Sequence, residues 1–207
     1  MQTDHKLFEA IVNDLSTSGY SIQPDALPVE LADTLRQSIV GMDNEVFKSA
    51  GVGRDGLHQI NQQVRRDTIH WIDKQSAAGR DWLTWMGQLQ GVINRQLFLG
   101  LDFYESHFSQ YGVGSFYKRH LDAFVGQGNR ILSTVTYLNP NWPSEAGGEL
   151  VLYRNEDDES GIKVAPEFAT MVVFLSEEFQ HEVLPTNQTR YSIAGWFRRR
   201  SVNDVVI

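Results

Sequence analysis

The segment YKRHLDAFVG, residues 117 to 126, places His120 and Asp122 one residue apart. In an extended chain, side chains i and i+2 point to the same side, so an imidazole and a carboxylate can aim at one point. A lone His-x-Asp arises easily by chance. His181 changes its meaning, because it follows the apolar run MVVFL at a position where a buried strand is expected to give way to a loop. After the turn LPTNQ, Arg190 opens a further strand on which Arg190, Ser192, Ala194 and Trp196 share a face. Two imidazoles and one carboxylate on one face of an octahedral ion leave three adjacent positions open, which is the donor set of non-haem Fe(II) oxygenases. A bidentate 2-oxo acid takes two such positions, with O2 as the oxidant. The second carboxylate of 2-oxoglutarate is costly to bury unpaired, and an inward Arg190 beside Ser192 offers it a two-pronged partner.

Four other histidines are weighed against these. His5 is expected at an exposed helix end, and His70, in TIHWI, as a partly buried strand residue. His58 and His107 lack a partner nearby in sequence and read as structural or surface residues.

The elements that must position this chemistry fall into two halves. Before Tyr111 the apolar residues recur at helical spacing: Leu7, Phe8, Ile11, Val12 and Leu15 form one stripe. A second helix follows Pro28 with Leu31, Leu35 and Ile39. A third is expected from about Asp81, carrying Trp82, Met86, Leu89, Ile93 and Leu97. A long Gly-rich polar loop lies between the second and third. After Tyr111 come short strands broken by turns: RILSTVTYLN, ELVLYR, FATMVVFLS and TRYSIAGWFRR. This pattern predicts a mainly β sandwich, jelly roll or barrel preceded by helices. The acidic NEDDESG is expected as a solvated hairpin tip, and FRRRS as a solvated strand end.

Bulk properties narrow the classes. The 207 residues suit one well-cored domain, and the net charge of −8 argues against a protein that grips nucleic-acid backbones. With no cysteine, disulfides, thiolate metal sites and cysteine nucleophiles are excluded. Neither a leader-like start nor an apolar run of membrane-spanning length is present in the sequence. A cytoplasmic monomer is the simple expectation.

The motifs RRDTIHWID, YGVGSFYKRHLD, NRILSTVTYLNPNW, GGEL and HEVLPTNQTRYSIAGWF together resemble the Fe(II)/2-oxoglutarate prolyl hydroxylases. They are most like the branch that hydroxylates hypoxia-inducible factor, and its bacterial relatives. The resemblance implies a double-stranded β-helix, or distorted jelly roll, buttressed by N-terminal α-helices. It implies one domain over residues 1–207, with helical support over 1–100, a substrate loop at about 47–66 and the β-helix core over 101–207. Fe(II) would be held by His120, Asp122 and His181, and the far carboxylate of 2-oxoglutarate by Arg190. Tyr111, Tyr137 and Trp196 match residues of the cosubstrate pocket, with simple core packing as the alternative for each, and Tyr117 can be either. Arg130 matches a residue near the substrate mouth. Arg54, His58, Gln59 and Gln62 fall in the loop that meets the substrate. The implied reaction is hydroxylation of a prolyl residue in a protein, with release of succinate and CO2 and with ascorbate as an accessory reductant. The bacterial relatives suggest a translation factor as target, elongation factor Tu foremost. The alternatives are the same site acting on a small molecule or free amino acid, a cupin-type metal enzyme that leaves Arg190 unexplained, and a non-catalytic jelly-roll binding module.

Overall fold

The computed structural model describes residues 4–50, 63–123 and 129–200. Its three helices follow from the apolar stripes. Helix α1 (His5–Ser18) buries Phe8, Ile11, Val12 and Leu15, the positions that line one face at 3.6 residues per turn. It ends at Gly19, whose φ of 76° lets its N–H reach the Leu15 carbonyl. Helix α2 (Val29–Gly41) starts directly after Pro28 and buries Leu31, Ala32, Leu35 and Ile39. Helix α3 (Ala77–Leu97) begins earlier than the apolar spacing predicts, because the Ser76 hydroxyl accepts from the Gly79 N–H and caps the first turn. A cap lies outside the stripe it starts, so periodicity places the beginning too late.

Two antiparallel sheets follow. The strands in chain order are β1 (Tyr20–Gln23), β2 (Lys48–Ser49), β3 (Thr68–Trp71), β4 (Phe103–Tyr111), β5 (Tyr117–His120), β6 (Arg130–Tyr137), β7 (Leu150–Tyr153), β8 (Ile162–Val164), β9 (Met171–Leu175), β10 (Gln180–Val183) and β11 (Arg190–Arg198). Among the described residues the major sheet runs β1-β9-β6-β11-β4-β3-β2 and the minor sheet β5-β10-β7-β8. The helices pack on the outer face of the major sheet, burying Trp82, Trp85, Met86 and Leu89 against Phe108, Leu132, Val173, Ile193 and Phe197. The space between the sheets holds Tyr111, Tyr137, Leu150, Leu152, Val172, Phe174 and Val183. This is the expected mainly β jelly roll with helices behind its larger sheet.

Strand alternation sorts the two cores. On β11, Ile193 and Phe197 join the helix-side core, while Arg190, Ser192, Ala194 and Trp196 line a cavity between the sheets. Trp82 is fully buried and its indole N–H donates to the Ser106 hydroxyl at 3.0 Å, tying α3 to β4. The arginine run at the end of β11 is more than a solvated strand end. Arg198 donates to Glu105 at 2.9 Å and to Asn129 at 2.8 Å, and Arg199 donates to the Leu99 carbonyl at 2.6 Å. Guanidinium forks reach carboxylates and carbonyls together, so these residues fasten β11 to the segments before β4 and β6. Among the described residues no helix is long and apolar enough to cross a membrane.

Gly195 sits where Tyr104 crosses β11. A Cβ there would overlap the Tyr104 hydroxyl and stand 2.8 Å from the Glu105 carbonyl oxygen. Gly195→Ala is therefore expected to lower unfolding free energy by about 1–3 kcal/mol, the usual penalty of overpacking, as read by urea denaturation.

Candidate active site

Strands β5 and β10 pair antiparallel with His120 directly opposite His181, and their ring centroids stand 4.2 Å apart. His181 therefore lies within a short strand, not at a strand end opening into a loop. The turn after β9 reverses the chain and adds β10 to the minor sheet. His120 Nδ1 is 2.7 Å from the Lys118 carbonyl oxygen and His181 Nδ1 is 3.2 Å from that of Phe179. A carbonyl only accepts, so both Nδ1 atoms carry the proton and both Nε2 atoms keep a free lone pair. Asp122, in the bend after β5, places Oδ1 3.8 Å from His120 Nε2 and Oδ2 3.5 Å from His181 Nε2. One ligand atom from each residue lies within 4.8 Å of the others, a spacing that suits a single divalent cation.

Electrostatics keep this cluster ready for a metal. Burial pushes His120 down to about 3, with His181 adding to the shift and Asp122 opposing it. Burial works to raise the Asp122 carboxyl, but the two imidazoles and the Ser133 hydroxyl hold it well below the usual carboxylate range. The Trp196 indole N–H adds a weaker pull from outside hydrogen-bonding geometry. A neutral imidazole and an ionised carboxylate are the forms that bind metal.

At the closed end of the same cavity, of about 690 Å³, lies Arg190, 1 % exposed. Its Nε donates to the Gly148 carbonyl at 2.9 Å and its Nη1 to Ser192 Oγ at 3.0 Å. Its guanidinium carbon stands 4.9 Å and 5.0 Å from the ring centroids of Tyr111 and Tyr137. Gly148, at φ 74°, allows this approach, since a Cβ there would come within 3.2 Å of Arg190 Cδ. Arg190 Nη2 and the Tyr137 hydroxyl are buried without a hydrogen-bond partner among the described residues. Burial raises the Tyr137 phenol to about 12 with Arg190 opposing it, so it remains a donor. No carboxylate pairs with Arg190 among the described residues. A buried cation and two donors left without partners among the described residues fit the carboxylate of an anionic small molecule.

Similarity to known proteins adds the family. A model of the 2OG-Fe(II) oxygenase superfamily matches residues 106–198. The crystal structure of a Pseudomonas putida prolyl-4-hydroxylase superposes with a TM-score of 0.83 at 40% sequence identity, covering 94% of this chain and 100% of that one. The chain belongs to the 2OG-Fe(II) oxygenase superfamily. A Trichoplax adhaerens prolyl hydroxylase, solved with a peptide fragment of the hypoxia-inducible-factor oxygen degradation domain, superposes with a TM-score of 0.81 at 29% identity, over 95% of this chain and 91% of that one. The Caenorhabditis elegans hypoxia-inducible factor prolyl hydroxylase is 27% identical over 95% of this chain and 29% of its own length. Rat Egl nine homolog 1 is 32% identical over 42% of this chain and 25% of its own length. The chain thus spans less than a third of these two curated relatives. The family's cofactors are Fe(II) and 2-oxoglutarate with O2, and the donor set and orphaned groups described above fit them.

The wider wall of this oxygenase's cavity holds Arg130 and Tyr117, which the sequence reading places near the site, together with residues it does not single out. Arg130 lies over the Trp196 ring at 3.7 Å and pairs with Glu105 at 3.6 Å, at the open side. Trp71, 50 % exposed, joins them there. Tyr117 stacks on His120 at 3.7 Å and lies under Arg65 at 4.6 Å. Arg65 grips Asp67 through two hydrogen bonds of 2.5 and 2.7 Å. Burial disfavours the Arg65 charge, yet Asp67 more than offsets this and raises its pKa. The i, i+2 spacing in RRDTIHW carries that pair in plain view. His107, read as structural or surface, is buried in the cavity wall between Trp71 and Trp196, with Nδ1 3.0 Å from Ser109 Oγ. The acidic tip after β7 is also more than solvated. Arg119, beside His120, donates to Gln180 and to the carbonyls of Asn155, Glu156 and Asp158, binding the tip to β5 and β10. Arg54, His58, Gln59 and Gln62 lie outside the described residues.

Burial pushes His107 down to about 4; Arg65 and Arg130 add to the shift, while Asp67 and the Phe108 carbonyl oppose it. The unfolded chain takes up this proton near pH 6.5 and the folded chain only near 4. The stability it contributes is complete above about pH 6.5 and is lost as pH falls toward 4. Denaturant melts at pH 7 and pH 4 are expected to show wild type losing on the order of 3 kcal/mol more than His107→Gln over that interval.

Proposed function

We propose that this oxygenase hydroxylates a prolyl residue of a protein, coupled to conversion of 2-oxoglutarate and O2 into succinate and CO2. The observation that carries it is the buried Arg190, with no carboxylate partner among the described residues, in the same cavity as His120, Asp122 and His181. His120, Asp122 and His181 hold Fe(II), and Arg190 Nη2 with the Tyr137 hydroxyl receives the far carboxylate of 2-oxoglutarate. Fe(II), when bound, supplies O2 activation and the oxidation of an unactivated C–H bond. The chain supplies the rest. The carbonyls of Lys118 and Phe179 hold both imidazoles in the tautomer that presents Nε2. Leu150, Val135 and Val183 give the cavity apolar walls. Arg130, Trp196 and Trp71 form a flat-walled mouth suited to a pyrrolidine ring on an extended peptide.

The prolyl assignment is supported by the Pseudomonas putida and Trichoplax adhaerens prolyl hydroxylases, similar along nearly the whole chain. Elongation factor Tu is the candidate target, and a cytoplasmic location would follow. Its support is the resemblance to bacterial prolyl hydroxylases, not a residue of this chain.

Asp122→Ala and His181→Ala are expected to abolish succinate formation even with added Fe(II); wild-type turnover in either would refute the metal assignment. Arg190→Ala should weaken 2-oxoglutarate binding on the order of 100-fold, the usual effect of removing one partner of a buried charge pair, and leave metal binding intact. Incubating purified elongation factor Tu with the enzyme should add the mass of one oxygen atom to a proline-containing peptide. Oxygen added to no protein, with turnover driven by a free amino acid, would redirect the assignment to small molecules.

A further inference from the structure

The three candidate ligands are not held alike. His120 and His181 sit on paired strands, and the β5–β10 register fixes them. Asp122 lies in the bend beyond β5, outside any strand. Its carboxylate is instead reached from the opposite sheet, where Ser133 Oγ on β6 stands 2.6 Å from Asp122 Oδ2. Ser176 Oγ, just past β9, stands 2.9 Å from Ser133 Oγ. The proton order follows from the groups present. A carboxylate only accepts, so the single Ser133 proton goes to Asp122, and Ser176 must donate to Ser133. Both serines are fully buried, at 1 % and 0 % exposure, and the Ser176 N–H is itself bonded to the Ile131 carbonyl at 3.1 Å. The relay therefore begins at a fully buried hydroxyl at the end of β9 and ends on a charged oxygen of the bend after β5. Each hydroxyl polarises the next.

We infer that Ser133 is a positioning residue for the Asp122 carboxylate, oriented in turn by Ser176, and that this relay sets metal affinity. Its physical task is to fix the carboxylate torsion by occupying Oδ2 with a short charge-assisted hydrogen bond. A purely structural pair of hydroxyls would behave differently, since two buried partners exchanged for apolar groups can be nearly neutral. Here the chain ends on an anion that a metal must share, so truncation is felt at the metal. The inference rests on the metal site proposed above.

The test is Mn(II) titrated into the metal-stripped full-length protein, with free Mn(II) read by electron paramagnetic resonance, so that no turnover is required. Ser133→Ala is expected to weaken Mn(II) binding about 10- to 100-fold, the range for losing a partner that orients a ligand. Ser176→Ala should give a smaller loss of about 2- to 5-fold, because it removes only polarisation. Ser133→Thr, which keeps the hydroxyl on a strand that favours branched residues, should bind near wild type. Thermal melts in chelator should show Ser133→Ala folded and cooperative. If it is not, Ser133→Cys, nearly equal in size and a weak donor, carries the same expectation. The inference is overturned if Ser133→Ala or Ser133→Cys binds Mn(II) as tightly as wild type, or if Ser133→Thr loses as much as Ser133→Ala. Failure of wild type itself to bind Mn(II) would overturn the metal site as well, which distinguishes the two.

Discussion

The antiparallel pairing of β5 with β10 is the constraint on which the site depends. It sets His181 opposite His120, and cross-strand neighbours in such a pair lie only a few ångströms apart. A slip of one residue would turn one imidazole to the other face of the sheet. The neighbouring elements defend this register. Strand β7 pairs with β10 on its other side, and Arg119 laces the end of β5 to Gln180 and to the hairpin tip. The acidic tip thus lends its backbone carbonyls to the geometry of the histidines, while the Asp158 carboxylate accepts from the N–H groups of Arg154, Ser160 and Gly161 and holds the tip together.

The cavity has two electrostatic ends. Two imidazoles and a carboxylate at one end attract a cation, and an unneutralised guanidinium at the other attracts an anion. Neither end is satisfied by the protein alone among the described residues. Keeping Arg190 charged and buried is unfavourable for the isolated fold, and it persists because Gly148, Ser192 and two tyrosine faces cradle it. A molecule that carries a metal-chelating group at one end and a carboxylate at the other answers both needs together.

Much of this was legible in the sequence because the decisive residues are rare types at short spacing. His120 and Asp122 share a face by alternation, Arg190 and Ser192 do so again, and Trp196 follows on that face. The helix faces were legible from apolar spacing alone. The remainder depends on contacts that no local pattern records. Ser133 and Ser176 are unremarkable letters in two apolar strands, and they acquire a role only because β6 and β9 are neighbours. The His107 ring bonds within its own strand, at Ser109, and its place in the cavity wall is decided by Trp71 and Trp196 from two other strands. The start of α3 was misplaced because its signal is a capping serine and not an apolar position. Nothing in the sequence around Arg119 announces its partners, which lie on β10 and the hairpin tip.

Strand β11 serves two masters on alternate residues. Ile193 and Phe197 anchor the helices, whereas Arg190, Ser192, Ala194 and Trp196 face the cavity. Directed evolution of a new substrate preference can therefore draw on Ala194 and Trp196 without touching the helix-side core. Loosening the intervening letters would tilt the whole ribbon and spoil chemistry several ångströms away. Tolerance to change along this ribbon should rise and fall with a period of two, a rhythm imposed by backbone geometry and by nothing in the reaction itself.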